Sequence, residues 1–177
     1  MVHILEIKEY AKENNVPIML DGGMDFICNY IKENNIKSIL EIGSAIGYSA
    51  IRFASINNDI TVTTIERDVE RYNEAVKNIK NESLENRITI YNDDALVFTT
   101  NDKFDLIFID AAKGKNIDFF TKFFPYGEYN HDVLMITYRR EFFKTAISPV
   151  NLVSPYTDCG TATSDGWYGR LDFPSKT

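Results

Sequence analysis

Apolar positions along this chain alternate between two rhythms. Short unbroken runs at Ser38–Ile42 and Phe104–Ile109 lack polar alternation and read as strands buried on both faces. The β-branched run 60–65 reads as another strand, as do 87–91 and 133–136. Between them the spacing turns helical. Ile4, Leu5, Ile7 and Ala11 predict a first helix that stops near Asn14 and Asn15. An extended connector follows over 16–20, where Pro17 disfavours helix at Val16. Asp21 is placed to cap a second helix over 22–33, with Phe26, Ile27, Tyr30 and Ile31 as its buried stripe. Further helices are predicted over 48–55, over 69–80 through Tyr72, Ala75, Val76 and Ile79, and over 116–124, stopping at Pro125. Strands alternating with helices imply a parallel sheet covered on both faces. No internal repeat is read.

The segment from Ile39 to Ser49 organises the rest. A buried strand runs into a turn bracketed by Gly43 and Gly47, and a helix begins at Tyr48. Such a turn lets backbone approach a ligand. The spacing is G-x-x-x-G, so the dinucleotide fingerprint G-x-G-x-x-G is absent. Glu41 at the strand end would repel a diphosphate and suits an ammonium group, which favours a zwitterionic ligand such as S-adenosylmethionine. Acidic residues close four strands: Glu41, Glu66, Asp94 and Asp110. In an open parallel sheet these gather at the carboxyl edge, where ligands bind. Glu66 has the offset of a ribose-chelating carboxylate, Asp94 with the Ala95 amide suits an adenine amine, and Asp110 suits a hard cation such as magnesium. Lys113, three residues past Asp110, is a candidate base.

Composition adds limits. The 177 residues and a net charge of −7 suit one domain and argue against a broad nucleic-acid-binding face. No segment has the length of a membrane span, and no leader pattern stands at the N-terminus, so a cytoplasmic protein is expected. Cys28 and Cys159 lack metal or redox spacing, and Cys28 reads as a buried free thiol. His3 and His131 do not look catalytic; His131 is read in a polar loop. Phe119, Phe120, Phe123 and Phe124 read as core or homodimer contacts. After Thr137 the chain changes character. Of 16 asparagines 15 precede this point, as do 20 of 21 isoleucines, and the last 40 residues hold 15 Ser, Thr, Pro or Gly. The expected organisation is a domain over 1–137 and an atypical tail over 138–177, disordered or out of frame.

Three motifs carry a family resemblance: the run from Leu40 to Ser49, Thr64-Ile65-Glu66-Arg67-Asp68, and Phe108-Ile109-Asp110-Ala111-Ala112-Lys113. They resemble the cation-dependent, catechol-type O-methyltransferases. Glu9-Tyr10-Ala11-Lys12 and Val16-Pro17-Ile18-Met19 are similar to the bacterial branch that methylates 5-hydroxyuridine in tRNA. The resemblance covers about residues 5–137. It implies an α/β, Rossmann-like, doubly wound and mostly parallel methyltransferase sheet, here with an incomplete or irregular C-terminal edge. It implies S-adenosylmethionine contacts at Met19, Gly43, Ala45, Tyr48, Ser49, Glu66, Asp94 and Ala95, and the reading of the turn adds Glu41 and Gly47 to the cofactor-binding set. Asp110 would be a magnesium ligand and Lys113 the general base.

The family follows its fifth strand with Asp-Asn to complete the metal site, whereas this chain has Tyr138-Arg139. Three readings follow: a tRNA hydroxyuridine methyltransferase, a methyltransferase of small hydroxylated aromatic diols, or a cofactor-binding domain with an impaired metal site. A nicotinamide dehydrogenase is disfavoured by the glycine spacing.

Overall fold

The computed structural model describes residues 2–111 and 115–135. Helices α1 (Val2–Glu13) and α2 (Asp21–Glu33) precede strand β1 (Ser38–Ile42) and helix α3 (Tyr48–Ala54). Then come β2 (Thr61–Glu66), α4 (Val69–Asn81), β3 (Ile88–Asn92), β4 (Phe104–Ile109), α5 (Asn116–Phe123) and β5 (Gly127–Met135). The five strands lie in the order β3-β2-β1-β4-β5, and every pair is parallel. The chain steps outward from β1 to β3, then returns to the other side of β1 with β4. That reversal opens a crevice at the carboxyl ends of β1 and β4, the usual ligand position in such sheets.

Two hydrophobic layers sandwich the sheet. Ile39, Leu106 and Phe108 face α1, α2, α3 and the end of α4, and Leu40, Ile42, Ile107 and Ile109 face α5. Strand residues alternate between these layers, so the runs must be apolar throughout. The Phe53 and Phe108 rings meet edge to face, 5.1 Å apart at 86°. Such a pair adds about 1 kcal/mol to its area burial.

Helices α1 and α2 stop by the same device. Residues 10–16 and 30–36 are near copies, Y-x-K-E-N-N followed by Val16 or Ile36. In each, the second asparagine turns left-handed, with φ 53° at Asn15 and 52° at Asn35. The next amide then reaches back, Val16 N to Ala11 O at 2.8 Å and Ile36 N to Ile31 O at 3.1 Å. The first asparagine's side-chain amide donates to the Tyr10 or Tyr30 carbonyl, each at 2.9 Å. This short echo is a helix stop used twice, a local repeat that the pattern of apolar positions does not reveal.

Some expectations shift. Asp21 is the first residue of α2 instead of its cap, and its carboxylate accepts from Lys8. The buried face of α2 is Gly23, Met24, Ile27, Cys28 and Ile31, leaving Phe26 48% exposed. On α4 the inward positions are Ala75, Asn78 and Ile79, while Val76 points outward. Both helices carry apolar residues on more than one side, so the packing partner decides which stripe is covered. Strand β5 begins at Gly127, which puts His131 in a strand instead of a loop. Cys28 is a buried free thiol, as expected. Cys159, the tail over 138–177 and the C-terminal sheet edge lie outside the described residues.

Candidate functional site

The turn after β1 is built by contacts with its neighbours. Gly43 takes φ +93°, and a Cβ there would stand 3.0 Å from the Asp110 carbonyl oxygen. A side chain is therefore excluded by the backbone leaving β4, before any ligand is considered. Gly47, at φ +82°, would bring a Cβ within 3.3 Å of the Ala75 Cβ. It lets α3 begin tight against α4. Between them Ala45 is left-handed, φ 45°, and its amide donates to Glu66 Oε2 at 2.8 Å. The Asp68 amide donates to Glu66 Oε1, also at 2.8 Å. One carboxylate thus fastens the turn after β1 to the turn after β2. Each of its oxygens keeps a free lone-pair direction.

A cavity of about 530 Å³ lies at this edge, a size suited to one cofactor-sized ligand. The structure brings Met19, Gly43, Ala45, Tyr48, Ser49, Glu66, Asp94, Ala95 and Asp110 to its wall. Met19 arrives on the connector between α1 and α2. Asp94 Oδ1 accepts from the Leu96 amide at 2.8 Å, which shapes the loop after β3 and leaves the other oxygen uncommitted. The Ser44 hydroxyl, also in the wall, is buried with no hydrogen-bond partner among the described residues. A buried hydroxyl so left costs about 1–3 kcal/mol, which a polar ligand group would offset. These features fit a nucleoside-bearing ligand with a ribose diol.

Two predicted contacts sit behind the wall. Gly47 packs on α4, as described. Glu41 is fully buried in the central strand and accepts from the hydroxyls of Ser49 and Thr64, the latter at 2.5 Å. Burial pushes its carboxyl up to about 7, against the two hydroxyl donors, which favour the ion. Glu41 therefore reaches the cavity only through Ser49.

Asp110 stands at the end of β4, half-buried, and burial raises its carboxyl to about 7. Among the described residues no group of three or more His, Cys, Asp or Glu comes together to hold a metal ion. One carboxylate is too few protein oxygens to hold magnesium firmly. The described donor set does not fit a resident ion. Lys113, Tyr138 and Arg139 lie outside the described residues.

The wall also contains residues that the sequence did not flag. Arg67, Arg71 and Lys115 bring positive charge to a rim otherwise acidic, and Phe119 turns from the α5 core into the cavity. Arg71 could have been found, since it lies in the first turn of the helix that follows the Glu66 strand end. Phe119 could not, because its spacing equals that of its core neighbours.

Known proteins share this fold. The O-methyltransferase family model matches residues 3–126. A caffeoyl-CoA-type O-methyltransferase of Arabidopsis thaliana is 30% identical over 119 residues, 64% of this chain and 51% of that protein. The crystal structure of a caffeoyl-CoA-type O-methyltransferase from Staphylococcus aureus has a TM-score of 0.71 at 40% identity. It covers 75% of this chain and 65% of that one. An O-methyltransferase from Bacillus cereus in complex with SAH shares the fold, at a TM-score of 0.70 and 23% identity, over 77% and 66% of the two chains. This chain thus spans about half of the curated relative and under two thirds of the staphylococcal structure. With the family model matched over residues 3–126, from the first helix through the first four strands and the turns that form the cavity, this chain belongs to the O-methyltransferase family.

Proposed function

We propose that the chain binds S-adenosylmethionine in the cavity at the carboxyl ends of β1, β2 and β4, and methylates a hydroxyl oxygen. The observation that carries this is the Glu66 carboxylate. It stands in the cavity wall, fixed by the Ala45 and Asp68 amides, with lone pairs left for a ribose diol. The B. cereus relative, which shares the fold, is complexed with SAH and supports the same ligand here.

The cofactor supplies an electrophilic methyl group on a sulfonium. The chain's part is to bind and orient. Glu66 would accept from the ribose, Asp94 and Ala95 would hold the adenine, and the turn over 43–47 would hold the amino-acid portion. Met19 and Phe119 supply apolar walls that exclude water from the transfer. Transfer of the methyl group to oxygen would break its bond to sulfur and release the hydroxyl proton to a base, a role this reading assigns to Lys113. Magnesium binding through Asp110 is expected to be weak, and calorimetric titration with magnesium checks it.

The acceptor in this reading is 5-hydroxyuridine of tRNA, on the strength of the motifs at Glu9-Tyr10-Ala11-Lys12 and Val16-Pro17-Ile18-Met19. A second reading is a small hydroxylated aromatic diol. The net charge of −7 and the caffeoyl-CoA-type relatives support it. Methyl-transfer assays on hydroxyuridine-containing tRNA and on catechol separate the two. No transfer to either would overturn the enzymatic reading and leave a cofactor-binding domain.

A further inference from the structure

Two asparagine side chains grip the site's turns from outside the cavity. Asn78, on the inward face of α4 and 6% exposed, donates from Nδ2 to the Ile46 carbonyl at 2.9 Å. Asn92, the last residue of β3, donates from Nδ2 to the Glu66 carbonyl at 2.9 Å and the Arg67 carbonyl at 3.2 Å. Neither lines the cavity. Each amide takes a carbonyl within the stretch that Glu66 ties together, one on each side of the Ala45–Glu66 hydrogen bond.

We propose that Asn78 and Asn92 are positioning residues for cofactor binding, acting through the Ala45–Glu66–Asp68 hydrogen bonds. The inference rests on the cofactor reading above. Ala45 is held left-handed, a conformation that alanine disfavours. With α4's amide gone from the Ile46 carbonyl, the turn is free to relax away from it and withdraw the Ala45 amide from Glu66. Asn92 acts on the other partner. It fixes two successive carbonyls where the chain leaves β2, and so sets the direction in which the Glu66 side chain departs. Together the two amides hold the carboxylate in the ligand's position before the ligand arrives, which lowers the ordering cost of binding.

A general loss of stability has to be separated from a loss of positioning. Asp105 supplies the control. At the opposite end of the sheet its carboxylate accepts from the Lys37 and Ser38 amides at 2.9 and 3.0 Å, far from the cavity. The experiment compares wild type with Asn78→Ala, Asn78→Ser, Asn92→Ala and Asp105→Ala, by calorimetric titration with SAH and by amide hydrogen exchange without ligand. Exchange at Ala45 and Asp68 should quicken in the Asn78 and Asn92 variants, with β4 amides unchanged. Their SAH dissociation constants should rise about tenfold, in the range of one lost hydrogen bond. Asp105→Ala should lower stability with the SAH constant within about twofold of wild type.

Asparagine variants that match Asp105→Ala in SAH affinity, with Ala45 and Asp68 exchange unaltered, would overturn the proposal. Absence of SAH binding by wild type would instead sink the cofactor reading, and the exchange rates would still decide the positioning role. Asn92 is exposed, so its variant keeps the test open if Asn78 variants fail to fold.

Discussion

The ends of β1 and β4 are neighbours in the sheet, yet their acidic residues are held in different ways. Glu41 lies inside the central strand with hydroxyl donors from Ser49 and Thr64. Asp110, at the end of β4, receives no side-chain donor among the described residues, and burial alone accounts for its raised pKa. The first acid is a closed part of the scaffold. It joins α3 to β2 and ends there. The second lines the cavity, and among the described residues no side chain donates to its carboxylate, which leaves it open to a ligand. Sheet position and sign of charge do not distinguish the two; the neighbouring donors do.

The largest expected effect comes from breaking the contact between the two ends. Gly43→Ala places a Cβ against the Asp110 carbonyl at a positive φ. The strain and clash should cost about 3 kcal/mol or more in chemical denaturation. A loss under about 1 kcal/mol would show that the ends are not packed as described.

Glu41 comes next. Its folded pKa stands above the ordinary 4.5, at about 7. The proton is held more tightly in the folded state, so the associated stability is full below about pH 4.5 and is lost as pH rises through 7. Glu41→Gln removes that dependence. It should stabilise the protein by about 2–3 kcal/mol at pH 8 and by little at pH 5, as read from unfolding curves at both. An equal effect at the two pH values would mean that Glu41 titrates normally.

Thr64→Val tests the same acid from its donor side and makes it resemble Asp110. Stability should fall by about 1–2 kcal/mol at pH 8, and by less at pH 5 where the carboxyl is neutral. The smallest effect is expected at Asp110 itself. Asp110 is only half-buried, so water screens much of its desolvation cost; with no side-chain donor to lose among the described residues, Asp110→Asn should gain about 1 kcal/mol or less at pH 8. A clear loss of stability there would place Asp110 in the scaffold beside Glu41.

The strands and the edge where the site lies were legible because uninterrupted apolar runs and acidic strand ends follow from the backbone of a parallel sheet. Glu66 was legible for the same reason. The role of Glu41 was not, because it depends on register. Thr64 lies opposite Glu41 in the β1–β2 pairing, and Ser49 reaches it from α3. Nothing in the linear spacing joins those three residues. The sequence marks Val76 as inward and not Asn78, since hydrophobicity signals an inward helical position and a buried amide with a carbonyl partner carries no such signal. Phe26 misled for the converse reason: it is large and apolar, and yet the neighbouring turn of α2 offered Met24 and Cys28 to the core.

The central claim is that Glu66, held by two backbone amides, forms the ribose end of a cofactor site. Calorimetric titration of SAH into wild type and Glu66→Ala tests it most directly. Saturable binding by wild type is expected, weakened on the order of 10- to 100-fold in the variant, the scale of lost charge-assisted hydrogen bonds. Equal affinity in the two proteins, with both folded, would contradict the account.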